Sequence, residues 1–399
     1  MFSYYDLIAC GTVFIISIIS ILSGIGGGSI YTAIMILIYK FDVIKAVPIS
    51  IALIFSTSTV NIIYFLIKKE HKSQTNYPIL IAIIPFLSCG SFVGTILVKI
   101  MPKIVTMLCI AVTMTFSVCK SYGKWKALRI TEVVKTEEAK EAKQTEHIEM
   151  IDLEEQPIQQ VAIKKADKSH NNVQPSLSGD SYKTLSLYIL VLLLIVASEG
   201  AFSIGRKLVK ICQSDYIIIC VAQIVATILI GLVVYKFLQY DKSQKEQANY
   251  EFNSGDIEMN SKNFSLLAVL GLFVSVISSW NGTGGATIIN PVLLTLGLLP
   301  SSVVATSCNF IWLGSLSSLI NFALTDQIDY SYAVMLSVCA IIGTMVGLFA
   351  YNIIVNKIKK QSMLVAFLIL IALLSLLLII ASMIVVGNLN DFSIQKLCT

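Results

Sequence analysis

Histidine is nearly missing from this chain. Three occur in 399 residues, His71, His147 and His170, and all lie in polar stretches between apolar runs. That leaves no membrane-embedded Ser–His dyad and no histidine-based metal site, which argues against an intramembrane protease or metalloenzyme. Charge is scarce too. Asp, Glu, Lys and Arg make up 13% of the residues, where a soluble globular chain carries about 25%. The nine cysteines form no C-x-x-C pair, and Cys89, Cys109, Cys220, Cys308 and Cys339 sit inside apolar runs. They read as small buried hydrophobes rather than disulfides or metal ligands. No basic region precedes the first apolar run, which carries Asp6 instead, so residues 7–22 read as a retained helix and not a cleaved signal.

Apolar length is what the chain has in abundance. Hydrophobic residues make up 56% and mean hydropathy is +0.80. Apolar segments fall at about 7–23, 29–40, 46–67, 78–98, 104–119, 184–205, 215–238, 264–280, 286–299, 301–323, 331–355 and 361–387. Most reach the roughly 17–25 residues that a spanning helix needs. The expected fold class is therefore all-α, a polytopic integral membrane protein. The net charge of +5 would elsewhere suggest nucleic acid. Here the basic residues fill the gaps between apolar runs, so membrane orientation explains them and the bilayer is the partner.

Two segments, 29–40 and 286–299, are too short to cross comfortably. Each follows a glycine cluster, Ser23-Gly24-Ile25-Gly26-Gly27-Gly28-Ser29 and Trp280-Asn281-Gly282-Thr283-Gly284-Gly285-Ala286-Thr287. Glycine costs about 1 kcal/mol per residue in a helix interior, so such clusters break helices. In hydrocarbon a broken helix must find partners for its freed N–H and C=O groups. Paired breaks at matching places in two halves point to a transporter's binding site.

The chain divides into a first transmembrane repeat (1–120), a polar, mostly disordered loop (121–183), a central helix pair (184–238), a polar linker (239–263), a second repeat (264–387) and a tail (388–399). Glu/Lys spacing near residues 131–143 allows a helix within the loop. Gly24, Gly26, Gly27 and Ile30 lie over Gly282, Gly284, Gly285 and Ile288. After a one-residue slip, Val47, Ser50, Ile54 and Ser58 lie over Val304, Ser307, Ile311 and Ser315; further on, Gly90-x-x-x-Gly94 matches Gly343-x-x-x-Gly347. Glycine spacings repeated in order indicate an internal duplication. The GxxxG pairs need no substrate, because small residues four apart let helices approach closely.

Equivalent loops differ in charge. Lys68-Lys69-Glu70-His71-Lys72 in the first block corresponds to Leu324-Thr325-Asp326-Gln327-Ile328-Asp329 in the second. By the positive-inside rule they face opposite sides. With the basic linker starts inside, this makes the repeats inverted, each break forming a hairpin, and puts both termini outside. Lys99, Lys103, Arg206, Lys207 and Lys210 then lie outside, against the rule.

Inside the apolar segments the polar residues are mostly neutral. Serine and threonine there commonly bond their own helix or glue neighbours. Asparagine is harder to satisfy, and Asn281, Asn290 and Asn309 lie near the second break. A half-helix starting within the membrane offers free N–H groups and about half a positive charge, an anion site that buries no cation. The expected substrate contacts are Gly26, Gly27, Gly28, Ser29 and Ser50 with Asn281, Thr283, Gly284, Gly285, Thr287, Ser307 and Asn309. Glu199, the one clear intramembrane carboxylate, either relays coupled protons or sits near a helix end against headgroup water or Arg206. Trp280 and Trp312 either pack or gate the second break; Pro48 and Pro291 adjust helix geometry. No cofactor, metal or nucleic-acid partner is expected.

Gly24-Ile25-Gly26-Gly27-Gly28 followed by Ala46-Val47-Pro48-Ile49-Ser50, and Gly282-Thr283-Gly284-Gly285 through Pro291 followed by Ala305-Thr306-Ser307, together resemble the sulfite exporter TauE/SafE family. The resemblance covers both repeats and leaves the 121–183 loop unexplained. The first repeat departs from it with Ala33 in place of Pro291 and Pro48-Ile49-Ser50 in place of Ala-Thr-Ser. The resemblance implies a secondary transporter of sulfite, sulfoacetate or related sulfur oxyanions and organosulfonates. The alternatives are an anion channel, or a membrane receptor or scaffold recruiting partners through the 121–183 loop.

Overall fold

The computed structural model describes residues 4–23, 27–67, 75–153, 180–209, 214–247, 259–298, 300–358 and 361–386. Among these the chain forms twelve helices and no strand. They are α1 (Tyr4–Ser23), α2 (Gly28–Ile38), α3 (Val43–Ile67), α4 (Tyr77–Ile100), α5 (Lys103–Leu153), α6 (Asp180–Leu208), α7 (Ser214–Gln247), α8 (Ser261–Asn281), α9 (Ala286–Thr295), α10 (Pro300–Leu324), α11 (Tyr330–Ile358) and α12 (Gln361–Val386). Helices suit an apolar chain because each pairs its own backbone groups, which lipid cannot do. Nine of those described are long and apolar enough to cross a membrane. At 11 and 10 residues, α2 and α9 reach only about half of the hydrocarbon thickness.

Helix continues past residue 121, where the polar loop is expected to start. The apolar span of α5 ends at Ile130, yet the helix continues to Leu153. Helix growth from an existing end needs no new nucleus, and Glu132/Lys135, Glu137/Lys140 and Lys143/Glu146 recur at i,i+3. Likewise α7 extends to Gln247, into the expected linker. Residues 154–179, 248–258 and the tail lie outside the described residues.

Enclosure separates core helices from peripheral ones. Of the most apolar window of α4, 83% is buried, against 22% for α7. α4 packs on α8, α10, α7 and α6, and α3 packs on α10, α11 and α2. The two larger apolar cores each draw on both blocks. One joins Ile79–Ile84 to Val274, Ile289, Leu293 and Phe310; the other joins Ile30, Tyr31, Ile49 and Leu53 to Ile311, Leu336 and Ile371.

The main contacts keep their form when the blocks are exchanged. α1 packs on α11 as α8 packs on α4, α2 on α12 as α9 on α5, and α2 on α3 as α9 on α10. The GxxxG glycines make the first of these contacts. A Cβ at Gly90 would lie 2.5 Å from the Leu272 carbonyl oxygen, and one at Gly343 would lie 2.5 Å from the Phe14 carbonyl oxygen. At Gly94 the obstacle is the Val276 carbonyl, at Gly347 the Ile18 carbonyl. Each pair therefore lets its helix touch the backbone of the other block's first helix.

Contacts at helix ends mark two faces. On one, Lys103 meets Asp42 at 2.7 Å, Lys207 meets Asp326 at 3.3 Å, and Tyr39 and Phe41 pack against Tyr332. On the other, the Asn76 N–H donates to Thr306 Oγ1 at 3.0 Å, and Lys242 donates to Asn260. The α1–α2 hairpin therefore opens to the first face and the α8–α9 hairpin to the second.

Candidate functional site

The second break is held by left-handed glycines. Gly282, which ends α8, has φ 68°, Gly284 has 74°, and Gly285, which starts α9, has 75°. Gly27 starts α2 with φ 72°. Side chains with a Cβ avoid this region. Neither Gly27 nor Gly285 supplies a side-chain cap, and each carbonyl accepts from the N–H groups three and four residues on, Ile30 and Tyr31 in α2, Ile288 and Ile289 in α9. The first N–H groups of both half-helices have no partner within the helix.

The two breaks lie backbone against backbone. A Cβ on Gly28 would stand 2.7 Å from the Thr283 carbonyl carbon and 2.8 Å from the Gly282 oxygen. Thr32 Oγ1 donates to Ser50 Oγ at 2.9 Å and lies 3.4 Å from the Gly282 oxygen; Ser50 Oγ donates to the Val47 oxygen at 2.8 Å and approaches the Gly282 oxygen at 3.3 Å. Positions far apart in sequence thus share one buried polar seam.

The expected contacts divide within this seam. Gly26 lies outside the described residues. Gly27, Gly28, Ser50, Asn281, Thr283, Gly284, Gly285 and Thr287 are all buried at or beside the junction. Ser29 is buried but donates to Ser375 of α12 at 2.9 Å. Ser307 donates to Val304 O and Asn309 to Ala305 O of their own helix, each at 3.0 Å. Trp280 donates to Thr106 and Trp312 to Thr59, so both indoles are anchored by their N–H.

Satisfaction is uneven. Asn281 Oδ1, Thr283 Oγ1, Thr287 Oγ1 and both Oδ1 and Nδ2 of Asn290 are buried without a hydrogen bond, and all four residues are 0% exposed. Each such group costs about 1–3 kcal/mol. Asn290 was legible as an asparagine near the break, but its pairing with Thr287 on one face of α9 is the stronger signal. Ser117 and Ser121 Oγ on α5 are also unpartnered, and their i,i+4 spacing in an apolar run was the available clue.

A second polar cluster surrounds Glu199, 1% exposed. Ser91 Oγ and Asn321 Nδ2 donate to its Oε1 at 3.3 and 3.1 Å. Asn321 Oδ1 accepts from Arg206 Nη2 at 2.7 Å and from Ser203 at 3.0 Å. Arg206 also donates to Gln223 and lies over the Phe92 ring, 4.0 Å from its centroid. Of the alternatives for Glu199, headgroup contact at a helix end does not occur; a buried link to Arg206 through Asn321 does. Arg206, one of the basic residues that the expected topology puts outside, is 7% exposed. Its hydrogen bonds and ring contact offset the desolvation that lipid imposes.

Comparison with known proteins agrees with this architecture. The family described as "Sulfite exporter TauE/SafE" matches residues 5–140 and 266–391. The chain is 23% identical over 368 residues to "Sulfite exporter TauE/SafE family protein 1" of Arabidopsis thaliana, covering 90% of this chain and 79% of that one. It is 24% identical over 377 residues to family protein 2, covering 88% and 77%, and 23% identical over 347 residues to family protein 3, covering 86% and 71%, both of the same plant. No solved structure matches the chain. The matched regions contain both glycine breaks and span most of the apolar helices, and the chain, a multi-pass integral membrane protein, belongs to the sulfite exporter TauE/SafE family.

Proposed function

We propose that this protein is a secondary transporter of a small anion, sulfite, sulfoacetate or a related sulfur oxyanion, working by alternating access at the paired breaks. The contact of the two breaks carries this reading. Two half-helix starts with uncapped N–H groups meet in the buried seam beside unpartnered hydroxyls and amides, which favours an anion without a buried countercharge. The names of the relatives support the sulfur anion. Contact between the breaks in this conformation favours a transporter whose halves must part over a continuously open channel.

The two blocks act as inverted repeats. The exchange-invariant packing and the opposite openings of the hairpins support this. The face carrying the starts of α8 and α10 is cytoplasmic, from the basic residues at Lys120, Lys124, Lys126 and Arg129. Glu199 relays coupled protons. Side-chain hydrogen bonds lead from it through Ser91 to Ser317, and the next residue on that helix, Ser318, bonds Ser279, two residues from Asn281.

The test is uptake of labelled sulfite and sulfoacetate into proteoliposomes, with and without a pH gradient. Wild type is expected to show saturable uptake. Gly284→Leu, strained at φ 74°, is expected to lose it, and Glu199→Gln to keep uptake but lose the response to the gradient. Wild-type protein that moves neither anion defeats the substrate assignment; a folded Gly284→Leu protein with undiminished flux defeats the site.

A further inference from the structure

We infer that the anion is held on the second break alone and that it must itself donate a hydrogen bond there. This rests on the anion reading above and narrows it. The two half-helix starts match, each opening on a left-handed glycine, Gly27 and Gly285, and the described residues around them differ in side-chain satisfaction. At the first, Ser29 is joined to Ser375, and Thr32 and Ser50 to each other and to backbone carbonyls. At the second, Thr283, Thr287, Asn281 and Asn290 carry polar atoms that no described group meets. Buried polar groups are nearly always paired in native proteins, so unpartnered ones gathered at a helix start mark where a ligand bonds.

The kinds of unpartnered atom specify the ligand. Thr283, Thr287, Asn290 Nδ2 and the first N–H groups of α9 offer donors to an oxyanion. Asn290 Oδ1 and Asn281 Oδ1 are acceptors, which a bare oxyanion cannot satisfy. Exchanging the amide ends of Asn290 changes nothing, because both are unpartnered. The occupant matched by this set is a small sulfur oxyanion with its own O–H or N–H, hydrogen sulfite or a hydroxy- or aminosulfonate, rather than sulfate, a plain alkyl sulfonate or ionised sulfoacetate, so of the two anions proposed above it keeps sulfite. It enters when the Gly28–Thr283 contact opens.

Isethionate and ethanesulfonate have equal charge and differ by one hydroxyl, so they separate donation from charge. Affinity is measured on the purified full-length protein in detergent by calorimetry, with labelled sulfite as a third ligand above and below its second ionisation. Wild type is expected to bind isethionate about tenfold more tightly than ethanesulfonate. Asn290→Leu should bring the two within about twofold, while Thr287→Val weakens both alike. Wild-type calorimetry decides without any variant. Equal affinity for the two sulfonates, or sulfite affinity indifferent to its ionisation, overturns the requirement for a donor and leaves the anion reading standing. Binding of none of the three ligands overturns the anion reading itself.

Discussion

The two glycine breaks use the same backbone device for different ends. At the first, the described hydroxyls close on one another and on neighbouring carbonyls. At the second, amides and hydroxyls among the described residues are left open. The first is built like a bearing and the second like a socket. Near-symmetry of packing thus need not mean symmetry of chemistry, and a transporter with two related halves can concentrate recognition in one.

This comparison can be broken, beginning with the largest expected effect. Gly285→Val puts a β-branched residue at φ 75° with its Cβ 2.8 Å from Phe310, and should weaken anion binding on the order of 100-fold, as ångström-scale misplacement does in catalytic sites. Gly27→Val, at φ 72°, should slow uptake yet keep affinity within about tenfold; equal losses of affinity would remove the distinction. Gly94→Ala and Gly347→Ala meet backbone in both halves and should cost about 1–3 kcal/mol each in thermal unfolding, which shows where the halves are alike. Thr287→Val should leave stability unchanged or raised while weakening binding about tenfold, whereas Ser29→Ala should cost about 1 kcal/mol and spare binding. Reversal of that pattern places the socket at the first break. Asp326→Asn, removing an ion pair whose side chains are 49% and 75% exposed, should change stability by under about 1 kcal/mol, less at high salt.

Much of this was legible in the chain. Gly27, Gly282, Gly284 and Gly285 announce their positions because few other residues tolerate left-handed backbone, and the shortness of the two arms follows from segment length, though 29–40 and 286–299 overrun the helices Gly28–Ile38 and Ala286–Thr295. GxxxG spacing indicated close helix packing, though not that the partner is the other block's first helix. Partnership is where one-dimensional reading ends. Ser29 and Thr287 look equivalent in sequence, and only the presence of Ser375 near one of them separates a satisfied hydroxyl from an open one. Arg206 looked like a loop charge because periodicity carries no information about Asn321 and Phe92 beyond its own helix. The extension of α5 to Leu153 was obscured by polarity, which signals exposure and not the absence of a helix.

The glycine grip between α1 and α11 also sets a clock. Phe14 and Gly343 touch, yet at the usual elongation rate of about 5–20 residues per second their syntheses are separated by about 15–65 s. During that interval α1 lies in the bilayer beside lipid or a temporary neighbour, its future seat not yet made. The first helix is thus among the last to find its final partners although it is the first to be inserted. A chain stalled before α11 would present the uncovered face of α1, from Phe14 to Ile21, to whatever guards membrane insertion.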